Sequence, residues 1–209
     1  MNTNNIRRTL SRLALATALP LLLLPVAAQA GDTGSRWAPT RVFVQLGVAE
    51  HADAAVVGAT WDWSWQQDVG WGRLTGYWDI SFGRWASDSA DRTTSSHAWV
   101  TQLGVTPVLR LHPGGPGPGW YVEGGIGANV LLPIYRTEDK RFSTKFNFGD
   151  HLAVGRTFGD RGEHDVAVRF QHFSNAGIKE PNPGENFLQL RYSHPVSYTH
   201  LTLPTIYSV

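Results

Sequence analysis

Between Trp37 and His194 no stretch carries a convincing 3.6-residue period, while apolar and polar residues alternate with a period of two about eight times. That recurrence limits the chain to all-β architectures. Val42, Val44, Leu46 and Val48 alternate with Arg41, Phe43, Gln45 and Gly47. Ala55, Val57, Ala59, Trp61, Trp63 and Trp65 follow, and then Leu74, Gly76, Trp78, Ile80 and Phe82. Later segments run from Trp99 to Leu111, Trp120 to Leu132, Phe146 to Val154, Val166 to Phe170 and Leu188 to Tyr192. Each has one apolar face. The other face carries amides, Gly and charges of both signs: Arg41, Asp62, Arg73, Asp79, Arg110, Glu123, Arg169 and Arg191.

A soluble sandwich or an eight-stranded binding barrel turns the apolar face inward, whereas a membrane barrel turns it outward. Several features favour the membrane form. Arg7, Arg8 and Arg12 precede an apolar run from Leu13 to Val26, and Ala28-Gln29-Ala30 is a small-x-small cleavage site. Residues 1–30 therefore read as a cleaved export signal. No later run of ~18 apolar residues offers a membrane helix. Short Gly/Pro-rich turns (Gln66–Gly72, Pro113–Gly119, Gly159–Glu163) alternate with longer polar loops (Ser87–Ser96, Pro133–Thr144, Asn175–Gly184), as periplasmic turns alternate with extracellular loops. Aromatic residues, among them nine Trp, gather toward segment ends. A mean hydropathy of −0.23 suits a barrel whose polar interior dilutes its lipid-facing residues. The expected fold is an all-β, eight-stranded antiparallel transmembrane β-barrel over residues 31–194. Residues 195–209 break the pattern at a Pro and resemble translated adapter sequence, so they read as a non-native tail.

Other totals narrow the function. The chain has no Cys, which excludes disulfides and thiolate metal sites. Its formal charge of +1 gives no basis for a nucleic-acid partner. His51, His97, His112 and His151 are scattered without ligand spacing, so no metal or other cofactor is expected.

The parity of Val166, Val168 and Phe170 continues through His172 to Ser174. If the strand stays regular, both face lipid at the extracellular end. If it ends at His172, both are loop residues among head groups. Symmetric hairpins would set His172 opposite about Asn186 on one side and about Asp150 on the other. A nucleophile, a base and a polar group beside the base are what an esterase requires.

His172-Phe173-Ser174-Asn175-Ala176-Gly177, Pro181-Asn182-Pro183-Gly184 and Gly72-Arg73-Leu74-Thr75-Gly76-Tyr77-Trp78-Asp79 resemble the outer-membrane lipid A 3-O-deacylase family, PagL. Glu123-Gly124-Gly125-Ile126-Gly127 and Phe148-Gly149-Asp150 extend the likeness. The resemblance implies a serine esterase with a His–Ser–Glu triad on the outer surface of the barrel, cutting the ester-linked acyl chain at position 3 of lipid A. It implies His172 as base, Ser174 as nucleophile, and the amides around Asn175 and Gly177, assisted by the Asn175 side chain, as oxyanion donors. Lipid A, or lipopolysaccharide, is the implied substrate, and outer-membrane lipids are the implied surroundings; a homodimer stays open. An ungapped match puts Asn186 where the family has its acid, with Glu185 one residue early. Asn186 could orient His172, a bulge could turn Glu185 outward, or Asp150 could supply the charge. An outer-membrane phospholipase and a non-enzymatic structural or adhesive barrel are the rival functions.

Overall fold

The computed structural model describes residues 37–88, 97–115 and 117–196. The expected leader lies outside these residues, as does the expected tail beyond Val196. The strands are β1 (Arg41–Val48), β2 (Ala52–Asp68), β3 (Gly72–Asp88), β4 (His97–Pro113), β5 (Gly119–Leu132), β6 (Phe146–Phe158), β7 (His164–Ser174) and β8 (Glu185–Pro195). Each pairs antiparallel with the next, and β8 returns to β1 to close an eight-stranded barrel. The closing register runs from Arg41↔Pro195 to Val48↔Leu188, so every residue of β1 has a partner on β8. Closure leaves no sheet edge and satisfies the backbone internally, as a hydrocarbon environment demands.

The alternation read from the sequence sets the two faces. Leu152 is 72% exposed and Ile126 66%, whereas Gln102, Glu123 and Arg191 are almost wholly buried. The apolar face therefore points outward and the polar face into the lumen, which argues against the soluble alternatives. Inside, Arg110 pairs with Glu123 and Asp165, Arg169 with Glu123 and Asp79, and Arg191 with Asp79. Tyr77 and Tyr121 add hydroxyl donors to Glu123 and Asp165. Buried charges persist when each is paired and hydrogen-bonded, and these mixed-sign residues meet that condition only once the barrel closes. Toward the long loops the lumen is apolar: Trp85 packs edge-on against Tyr135 and Phe173, and against Phe187. Toward the short turns it opens into a cavity of about 450 Å³ lined by Arg41, Thr60, His112, Thr157, Arg161 and Ser193 among others.

One expected turn is shorter than the sequence suggested. Gln66–Gly72 was expected as a turn, but β2 runs on to Asp68 and β3 begins at Gly72. The pairing jumps from Asp62↔Tyr77 to Gln66↔Thr75, a bulge in β2 that strict alternation does not reveal. Beside it, a Cβ on Gly76 would lie 2.1 Å from the Trp63 ring, so the absent side chain gives that ring its place against Trp78.

Candidate active site

The site stands at the long-loop end of β7. Gln171 and Phe173 are buried in the lumen, while Val168 and Phe170 are exposed on the outer face. His172 and Ser174 share the outer parity and are partly exposed. Register then supplies the neighbours. His172 is paired with Asp150 on β6 and with Asn186 on β8, and Ser174 with Phe148. The symmetric-hairpin expectation gives the same partners, because the turn after β6 and the loop after β7 introduce no slip.

His172 Nδ1 lies 2.7 Å from Asn186 Oδ1. A carbonyl oxygen only accepts, so the ring donates its Nδ1–H and keeps the lone pair on Nε2. Nε2 makes no hydrogen bond among the described residues, to Ser174 included. Gly184 makes room for the ring: a Cβ there would sit 2.7 Å from His172 Cε1 and 3.3 Å from Nε2. Its φ of +68° also lies in the left-handed region that favours glycine.

Glu185 is not brought to His172. It pairs with Phe173, one step past the His172–Asn186 pair, and no bulge turns it outward. Its carboxylate is buried in the lumen, where it accepts from the Tyr135 hydroxyl at 2.7 Å and the Lys140 ammonium at 2.9 Å. Both partners belong to the loop between β5 and β6, so Glu185 ties that loop across the barrel mouth.

Asn175 is also buried. Its Nδ2 donates to Lys179 O at 2.7 Å and to Ser143 Oγ at 3.0 Å, binding two loops together. The Asn175 N–H donates to Asn182 Oδ1, and the Gly177 N–H donates to Asn175 Oδ1. Both amides expected for an oxyanion thus have partners within the loop. The Ala176 N–H between them has none among the described residues, and Ala176 holds a φ of +53°. A strained backbone that leaves an amide free is a common feature of functional sites.

A family model described as lipid A 3-O-deacylase (PagL) matches residues 52–195, which takes in β2 through β8 and every residue of this site. The chain belongs to the PagL family. It is 34% identical to the lipid A deacylase PagL of Bordetella bronchiseptica over 75% of this chain and 84% of that protein. It is likewise 34% identical to the lipid A deacylase PagL of Pseudomonas aeruginosa over 67% of this chain and 76% of that one. A crystal structure of the outer membrane enzyme PagL superposes with a TM-score of 0.63 at 28% identity, covering 75% of this chain and 99% of that one.

Three residues around this candidate site have no role in the sequence reading. Tyr135 and Lys140 lie in a polar loop with no periodicity to mark them. Gly184 carried a signal, since Pro181-Asn182-Pro183-Gly184 ends directly before a strand, but its closeness to the imidazole appears only in three dimensions.

Proposed function

We propose that this chain is an outer-membrane lipid A 3-O-deacylase in which Ser174 is the nucleophile and His172 the general base. The observation that carries the reading is the 2.7 Å contact of His172 Nδ1 with Asn186 Oδ1 on the lipid-facing side of the barrel, with Ser174 two residues on along the same face. A base with a fixed tautomer and a hydroxyl on the same outer face, at head-group depth, suit an ester whose acyl chain lies in the membrane and whose sugar lies in water. The exposed Phe170, Leu188 and Leu152 below the site offer apolar surface to that chain.

His172 Nε2 takes the Ser174 proton as Oγ attacks the ester carbonyl at position 3. The tetrahedral oxyanion is met by amides of the Asn175–Gly177 turn, among which the Ala176 N–H has no other claim on it. Collapse breaks the bond to the sugar oxygen, which receives the proton from Nε2. Water, deprotonated by the same nitrogen, then attacks the acyl carbonyl, and the fatty acid leaves as Ser174 Oγ takes the proton back from Nε2. Asn186 keeps the ring in the tautomer that both proton transfers need. All these groups come from one chain, so the chemistry needs no second copy. Export by a leader over residues 1–30 belongs to the same reading.

Purified protein incubated with lipid A tests the assignment. Release of the 3-linked acyl chain, abolished in Ser174→Ala and His172→Ala, is the expected result. Release from glycerophospholipids with lipid A untouched would assign a phospholipase instead. No release from either by folded protein would leave the non-enzymatic barrel.

A further inference from the structure

We propose that Asp150 supplies the negative charge that Asn186 cannot, so that the two duties of a triad acid are divided between β6 and β8. The inference rests on His172 being the catalytic base. An acid beside a catalytic histidine both fixes its tautomer and stabilises the imidazolium that forms when it takes a proton. Asn186 Oδ1 performs the first duty at 2.7 Å. A neutral amide contributes little to the second. On the opposite flank, Asp150 is the register partner of His172. Side chains of directly opposed residues share a face with Cβ atoms about 5 Å apart.

The Asp150 carboxylate is uncommitted: it makes no hydrogen bond or ion pair among the described residues, with His172 included. Its outward parity lets it act on the ring through space or close on it once the ring is charged. The other charged groups around His172 are less suited. Glu185 on β8 is turned into the lumen and neutralised by Lys140. Lys179 and Glu180, on the loop after β7, are exposed and opposite in sign. Asp150 is therefore a positioning residue that acts through His172 and touches no substrate atom.

The test uses the folded full chain in detergent. Wild-type activity on lipid A is its reference: no cleavage by wild type counts against the assignment of the base, whereas the variants below count for or against Asp150.

On lipid A, Asp150→Asn should lower kcat about 10- to 100-fold with KM little changed. Adding Asn186→Glu to that variant, which puts a carboxylate on the opposite flank, should restore most of the loss. Full kcat in Asp150→Asn, or no recovery in the folded double variant, would overturn the division of roles.

Discussion

His172 donates its Nδ1–H to Asn186 Oδ1 across 2.7 Å. In the proposed triad a neutral amide thus stands where a serine hydrolase ordinarily has a carboxylate, and the ring tautomer depends on one hydrogen bond between β7 and β8. Asn186→Ala removes that bond and lets the ring turn. The expected result is a fall in kcat of about 100-fold with KM nearly unchanged, because the lost interaction concerns orientation and not binding. Steady-state kinetics on lipid A check it.

Glu185 gives the opposite expectation despite being next in sequence. Its carboxylate serves Tyr135 and Lys140 inside the barrel. Glu185→Gln should keep kcat within about threefold of wild type and cost about 2 kcal/mol of stability, the scale of a hydrogen bond to a charged group. Thermal unfolding and kinetics on the same preparation separate the two effects. A loss of kcat as large as that of His172→Ala would return Glu185 to the triad.

Gly184→Ala places a Cβ 2.7 Å from His172 Cε1 at a residue whose φ is +68°. The imidazole must move, and an ångström of displacement at a base is worth about 100-fold in rate. A fall in kcat of at least about tenfold is expected, with the β-sheet signal in circular dichroism unchanged.

Much of this was legible in the chain itself. Alternation gave the eight strands, the outward apolar face and the inward charges, because a barrel wall repeats one rule along its whole length. The same parity placed His172, Ser174, Asn186 and Asp150 on one surface. The bulge between Asp62 and Gln66 was not legible, since inserted residues leave composition unchanged. Nor was the choice between Glu185 and Asn186, which turned on whether β8 begins in regular register. The partners of Glu185 were also hidden, because Tyr135 and Lys140 reach it from a loop whose path follows no period.

The lumen offers a stability test remote from the chemistry. Glu123 neutralises Arg110 and Arg169 and accepts from Tyr77. Glu123→Ala leaves two buried guanidinium groups short of charge. Breaking a buried pair in this way costs about 3–5 kcal/mol. Denaturant unfolding in lipid vesicles should show a loss of that order, and kcat should hold well below the unfolding transition.

The central claim is that Ser174, on the lipid-facing side of the barrel, opens the 3-linked ester of lipid A. Mass spectrometry of lipid A, from an outer-membrane host without such an activity, measures it directly. Expression of the wild-type chain should remove the mass of one acyl chain from lipid A, and equally expressed Ser174→Ala should leave lipid A intact. Unaltered lipid A in cells carrying folded wild-type protein would contradict the account, as would the same mass loss in both.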